Sequence, residues 1–157
     1  MASNLKLSIQ NSYHYNDSAK YDEPYGRLYT WEAAQAGCAS LGQGWRLPTK
    51  EDWHQLAENY GTIGREESNI EKRAFPPLLT GGYSLFNVVL GGGRNPDGSY
   101  ARLAAHGFYW TITQHESATA WFANFAKGSQ ALYIQPDGEK VRAFSVRCVN
   151  SRKGLNK

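Results

Sequence analysis

Residues 25–38 read "YGRLYTWEAAQAGC", an aromatic cluster running into an alanine-rich stretch that ends on one of the chain's two cysteines. Thr30 stands directly before that stretch and offers an oxygen to the free backbone N–H groups of a helix start. Beyond it, Trp31, Ala34, Cys38 and Leu41 recur at spacings of three and four, which sets them on one helix face. Gly42 and Gly44 stop the helix, so Cys38 falls on its buried side. The other cysteine lies in "FSVRCV". There Phe144, Val146 and Cys148 share one side of a strand, with Arg142, Ser145 and Arg147 at the other positions, and the apolar side is expected to be buried. Both cysteines thus reach core faces by independent arguments. They either bond, tying the first helix to the last strand, or stay apart as two small buried hydrophobes. A bridge closing so long a loop contributes roughly 4–5 kcal/mol in the chain-entropy description.

The segment after this helix carries the sharpest local signal, "WRLPTKEDWHQLAENYG". Thr49 is the N-cap and Asp52 sits three residues on, a weak capping box. Trp53, Leu56 and Tyr60 form a stripe, and Gly61 ends the helix. Before these helices, "NLKLSIQ" alternates and reads as a strand, and residues 11–26 read as an irregular loop. Residues 61–109 hold three glycine clusters and an Asn-Pro-Asp-Gly turn. They read as long, glycine-hinged loops, with a short helix near Glu71–Phe75. A loop region of this length in a compact domain is usually functional or held by its own packing. The last third turns to β-structure: "GFYWTIT", "AWFANFA", "SQALYI" and "EKVRAFSVRCVN". "QPDG" serves as the hairpin turn between the last two. On the second of these strands Trp121, Ala123 and Phe125 are expected to face inward, and Phe122 and Asn124 outward. The whole is read as one α+β domain over residues 1–150, with 151–157 a frayed tail.

Composition limits the partners. The chain has 157 residues, 41% of them hydrophobic, enough for a single domain with its own core. The net charge of +3 is scattered, and Lys72-Arg73 and Arg152-Lys153 are too short for a nucleic-acid stripe. No apolar run is long enough to span a bilayer, so no membrane insertion is expected. "MASNLKLSIQ" lacks the basic-then-apolar layout of a secretory leader. There is no CxxC, HExxH or Cys/His cluster, so neither a zinc site nor any other cofactor is expected.

Six segments appear in register: "YGRLYTWEAAQAGC", "GWRLPTKEDWHQLA", "GGGRNPDGSYARL", "GFYWTIT", "AWFANF" and "FSVRCV". Together they resemble the Fibrobacter succinogenes major paralogous domain, over about residues 1–150, and "MASNL" is similar to the end of that family's opening segment. The resemblance implies a C-type-lectin-like fold, related to formylglycine-generating enzymes and to the variable proteins diversified by retroelements. It implies an extracellular or surface-displayed bacterial domain, with the export signal outside this chain. In the retroelement-diversified proteins the binding residues lie on the solvent face of the C-terminal meander, which falls here between Thr113 and Arg142. The chain departs from the family at "WTIT", at Ala143 and at the "ASLGQ" insertion. These changes leave the fold intact and the ligand open.

From these readings the candidate ligand contacts are Gln114, His115 and Glu116 at a loop top, Phe122, Asn124 and Tyr133 on outward strand positions, and Arg142 beside the hairpin. Outward aromatics next to polar groups make efficient contact area. The same aromatics filling gaps beneath the glycine loops is an equally weighted reading, and the five tryptophans are assigned to the core. Catalysis is not expected. Glu116 is the only acid in residues 98–136, so no carboxylate pair brackets a sugar there. The copper-binding cysteine pair of formylglycine-generating enzymes is missing. "QPD" resembles a calcium-dependent galactose motif, but no Trp-Asn-Asp strand follows, and one carboxylate in a turn supplies few of the oxygens calcium needs. The expected function is therefore non-enzymatic binding of a protein or glycan. The alternative is a structural or adhesive module without a ligand pocket.

Overall fold

A computed structural model describes residues 3–152. In chain order its elements are β1 (Ser12–Tyr13), α1 (Asp22–Tyr25), β2 (Leu28–Tyr29), α2 (Trp31–Ala39), β3 (Trp45–Arg46), α3 (Lys50–Glu58), α4 (Phe75–Leu78), β4 (Gly91–Arg94), β5 (Tyr100–Leu103), β6 (His106–Glu116), β7 (Thr119–Ala126), β8 (Ala131–Glu139) and β9 (Val149–Asn150). Both long helices start where the sequence caps them. The Thr30 side chain accepts from the Ala33 N–H. Thr49 and Asp52 complete a reciprocal capping box.

The main sheet has the order β5-β4-β6-β7-β8. It is antiparallel except for the parallel contact of β4 with β6. Two further ribbons pair β1 with β2 and β3 with β9. The first and last described segments meet, since the Leu5 N–H donates to the Val146 carbonyl, and β3 pairs antiparallel with β9. This α+β arrangement is compatible with the expected C-type-lectin-like fold. Cys38 and Cys148 are bonded, with Cα atoms 5.4 Å apart and no exposure at either residue, so the bridge forms, between α2 and the residue before β9.

Both faces of the sheet are covered. On one, Trp110, Ala120 and Phe122 pack with Phe144, Val146, the disulfide and the inner side of α2. On the other, Tyr109, Ala123, Phe125 and Leu132 pack with Trp53 and Ala57 of α3 and with Phe75 and Leu78 of α4. This double cover corrects several expectations. Phe122 is 7% exposed and Asn124 9%, so neither faces outward. Alternation fixes which residues share a face, but not whether the second face meets water. Ser145 and Arg147 are buried as well. Trp53 and Trp110 are core residues, whereas Trp31, Trp45 and Trp121 are half-buried.

Other boundaries also move. "NLKLSIQ" joins no ladder and is not a strand. The short helix near Glu71 is a 3-10 turn, Ile70–Lys72, followed by α4. "QPDG" is not a turn. It lies inside β8, where the register slips between the pairs Phe122↔Gln135 and Ala120↔Gly138. That slip is a bulge, an extra residue bending the strand. The chain reverses four residues later, with the Arg142 N–H donating to the Glu139 carbonyl. After it only isolated bridges form before β9, so "EKVRAFSVRCVN" is not one strand. Of the expected frayed tail, residues 153–157 lie outside the described residues.

Candidate functional site

The glycine-rich middle of the chain is more ordered than its composition implies. "GGGRNPDGSYARL" folds as the hairpin β4–β5, closed by the Asn-Pro-Asp-Gly turn. The Asn95 N–H donates to the Ser99 carbonyl and the Gly98 N–H to the Asn95 carbonyl. Asp97 accepts from the Ser99 N–H and hydroxyl, and those bonds hold its carboxyl below the usual range. This hairpin leans over the covered sheet face and leaves a cleft of about 420 Å³.

Two glycines make that approach possible. A Cβ on Gly93 would stand 3.3 Å from the Ala143 carbonyl and from the rings of Phe108 and Phe144. One on Gly138 would lie 2.7 Å from the Trp110 ring and 2.8 Å from the Phe122 ring. The glycine of "QPDG" is thus required by close passage of β8 over two core aromatics, not by a turn.

The cleft floor is aromatic at one end and polar at the other. Phe108 packs against Phe144 and Phe122, with ring centres 5.0 and 6.0 Å apart. His106 stacks on Phe108 at 5.2 Å, with planes 15° apart. The Asn124 amide then links two neighbours. His106 Nδ1 donates to Asn124 Oδ1 at 2.8 Å, and Asn124 Nδ2 donates to Gln135 Oε1 at 2.9 Å. An acceptor at Oδ1 requires the proton on Nδ1, which leaves His106 Nε2 free to serve as the ring's acceptor.

The walls are charged. Arg142 donates through Nη1 to Asn95 Oδ1 at 2.6 Å and through Nε and Nη2 to Glu139 Oε1, so it ties the rim to the hairpin. Arg94 lies over the Tyr13 ring at 4.0 Å and beside Tyr100, and its Nε is buried without a hydrogen-bond partner. The Tyr100 hydroxyl donates to Asp17. Burial and that bond push its pKa up to about 12. Arg102 and Asp137 complete the lining, both exposed.

The sequence-derived candidates divide into two places. Phe122, Asn124 and Arg142 converge on the cleft, although the first two reach it from buried positions. Tyr133 pairs with Asn124 across β7–β8, and its hydroxyl donates to Ser129. Gln114, His115 and Glu116 stand exposed at the far end of β6. There Lys140 Nζ donates to Gln114 Oε1, and His115 meets Trp121 edge-on. Arg94, Asn95 and Arg102 carry no site signal of their own in the sequence, and Asp137 enters there only as the carboxylate of "QPD". The available signal was the arginine beside the glycine run together with the Asn-Pro-Asp-Gly turn, which marks a hairpin.

A second groove of about 440 Å³ runs between α3 and the C-terminal segment, walled by Leu56, Phe86 and Val149. Among the described residues no three His, Cys, Asp or Glu side chains come close enough to hold a metal ion. No helix among them is long and apolar enough to cross a membrane.

Residues 2–150 match the Fibrobacter succinogenes major domain. The chain belongs to that family. No curated protein and no solved structure matches it. The matched span takes in the disulfide, both capped helices and every residue of the cleft, so the cleft is part of the Fibrobacter succinogenes major domain and not an appendage to it.

Proposed function

We propose that this Fibrobacter succinogenes major domain is a non-enzymatic ligand-binding module, secreted or displayed on the cell surface, that takes a glycan or protein ligand in the cleft beneath the β4–β5 hairpin. The observation that carries the reading is the cleft itself. A rigid, doubly covered sheet forms its floor, and a glycine-permitted hairpin forms its wall. Its polar groups converge from separated parts of the chain. Sites of this kind, concave and preformed with a few fixed polar groups, are the usual places for small ligands. The disulfide supports an oxidising compartment, where such bridges persist.

Binding rather than catalysis is favoured by the state of the charged groups. The Glu139 carboxylate is held by Arg142, and Asp137 is exposed to water. Neither is placed as an acid or base facing a partner group.

A structural or adhesive module is the second reading. Val141, 61% exposed, favours it, because it adjoins Lys140, whose ammonium lies over the half-buried Trp31 ring. The two readings separate in a screen of the oxidised domain against glycan and surface-protein arrays. Ligand binding predicts a saturable hit that Arg102→Glu abolishes while the melting temperature holds. A hit that Arg102→Glu leaves intact removes the cleft from consideration.

A further inference from the structure

The three arginines of the cleft are not equivalent. Arg142 is already engaged by Glu139 and Asn95. Arg94 and Arg102 form no ion pair among the described residues. Arg94 is held between the Tyr13 and Tyr100 rings instead, with its Nε buried and unpartnered. Three guanidinium groups stand against two carboxylates, Asp137 and Glu139, so three minus two leaves one net positive charge on the lining.

We propose that the cleft binds an acidic sugar, a residue of the uronic acid type carrying a single carboxylate, which Arg94 and Arg102 receive. The proposal rests on the binding function argued above and narrows its ligand. Arginine forks match carboxylate geometry and bind it more strongly than neutral donors do. A doubly charged phosphate fits less well, because Asp137 and Glu139 share the lining and repel it. His106, stacked on Phe108, brings an aromatic ring to the lining against which the C–H face of a pyranose can rest. His106 Nε2 and the Asp137 carboxylate offer acceptors for ring hydroxyls. A volume of about 420 Å³ admits one or two sugar rings.

The test is a titration of the oxidised full chain, followed by amide NMR, with three probes: a disaccharide ending in glucuronic acid, its neutral glucose counterpart, and an aspartyl-glutamyl dipeptide. The expected result is saturable shifts at Gly93 and Gly138 with the uronate, and affinity at least about tenfold weaker for the neutral sugar, since groups built to receive a charge are otherwise left unpaired. Arg102→Ala weakens uronate binding by a similar factor at unchanged melting temperature, and Arg94→Lys weakens it by losing the fork. Equal affinity for the neutral sugar, with the cleft signals moving, overturns the acidic-ligand proposal but leaves a binding cleft. Tighter binding of the dipeptide than of either sugar does the same. If no probe moves the cleft signals and array hits survive Arg102→Glu, the proposal fails together with the reading it rests on.

Discussion

Removing the Cys38–Cys148 bridge is the most quantitative test of how this fold is held. The two cysteines are 110 residues apart, and both are fully buried. Closing a loop of that length removes about 16 cal/mol/K from the unfolded chain's entropy, or about 5 kcal/mol at 25 °C. A domain of this size typically has about 5–15 kcal/mol of total stability. The double variant Cys38→Ala/Cys148→Ala should therefore be marginal or unfolded at 37 °C. It also loses sulfur packing against Trp110, Phe144 and Val146 within the same core cluster, which adds to the cost. At about 2–4 °C per kcal/mol, the entropic part alone lowers the melting temperature by about 10–20 °C. The assay has two steps. Thiol titration of the denatured, unreduced wild type should find no free thiol. Urea curves for wild type and double variant should then differ in midpoint with similar slopes. A midpoint within the error of wild type would refute the account, because the bridge would then not constrain the unfolded chain. A lower slope with an unchanged extrapolated stability would instead locate its effect in denatured-state compactness.

Three other outcomes follow from particular contacts. Gly138→Ala drives a methyl into Trp110 and Phe122 and should cost about 1–3 kcal/mol by overpacking, measured by urea denaturation. Arg147 sits buried with its donors on Asn4 Oδ1 and the carbonyls of Phe86 and Asn87, so Arg147→Met takes the guanidinium from both carbonyls, while Asn4 Oδ1 keeps the Tyr109 hydroxyl. It should cost at least about 2 kcal/mol and raise hydrogen exchange in residues 79–90 first. The pH dependence has two arms. Burial raises the Tyr29, Tyr100 and Tyr109 hydroxyls. Their stabilisation is therefore complete below the unfolded tyrosine pKa of about 10 and is lost as pH rises beyond it. Burial alone would raise Asp52, but the Arg46 hydrogen bond and those from Thr49 outweigh it and lower its carboxyl. Its contribution is present above the unfolded value of about 3.9 and falls away as pH drops below that. Thermal melts from pH 3 to 11 should show both losses, and Asp52→Asn should flatten the acidic one.

The sequence by itself determined the parts held by local chemistry. Thr30 and Thr49 started the helices, because a capping oxygen and a periodic apolar stripe act over a few residues. Strand alternation sorted Ala123 and Phe125 from Phe122 and Asn124 correctly. The cysteines could be paired because each lay on a core face for its own local reason, and six segments in register carried the family. The tertiary structure alone decided that both sheet faces are covered. Phe122 became buried because Phe144, Val146 and α2 cover a face that alternation leaves undetermined, and Asn124 beside it is closed in by His106 and Gln135. The same cause buried Arg147, whose charge reads as surface until the carbonyls of Phe86 and Asn87 are brought to it from 60 residues away. The cleft was illegible for a related reason. Arg94, Arg102, His106, Asn124, Asp137 and Arg142 come together only because Gly93 and Gly138 lack a Cβ where backbone passes over aromatic rings. A missing atom leaves a composition signal, but which surface it lets approach depends on the whole fold.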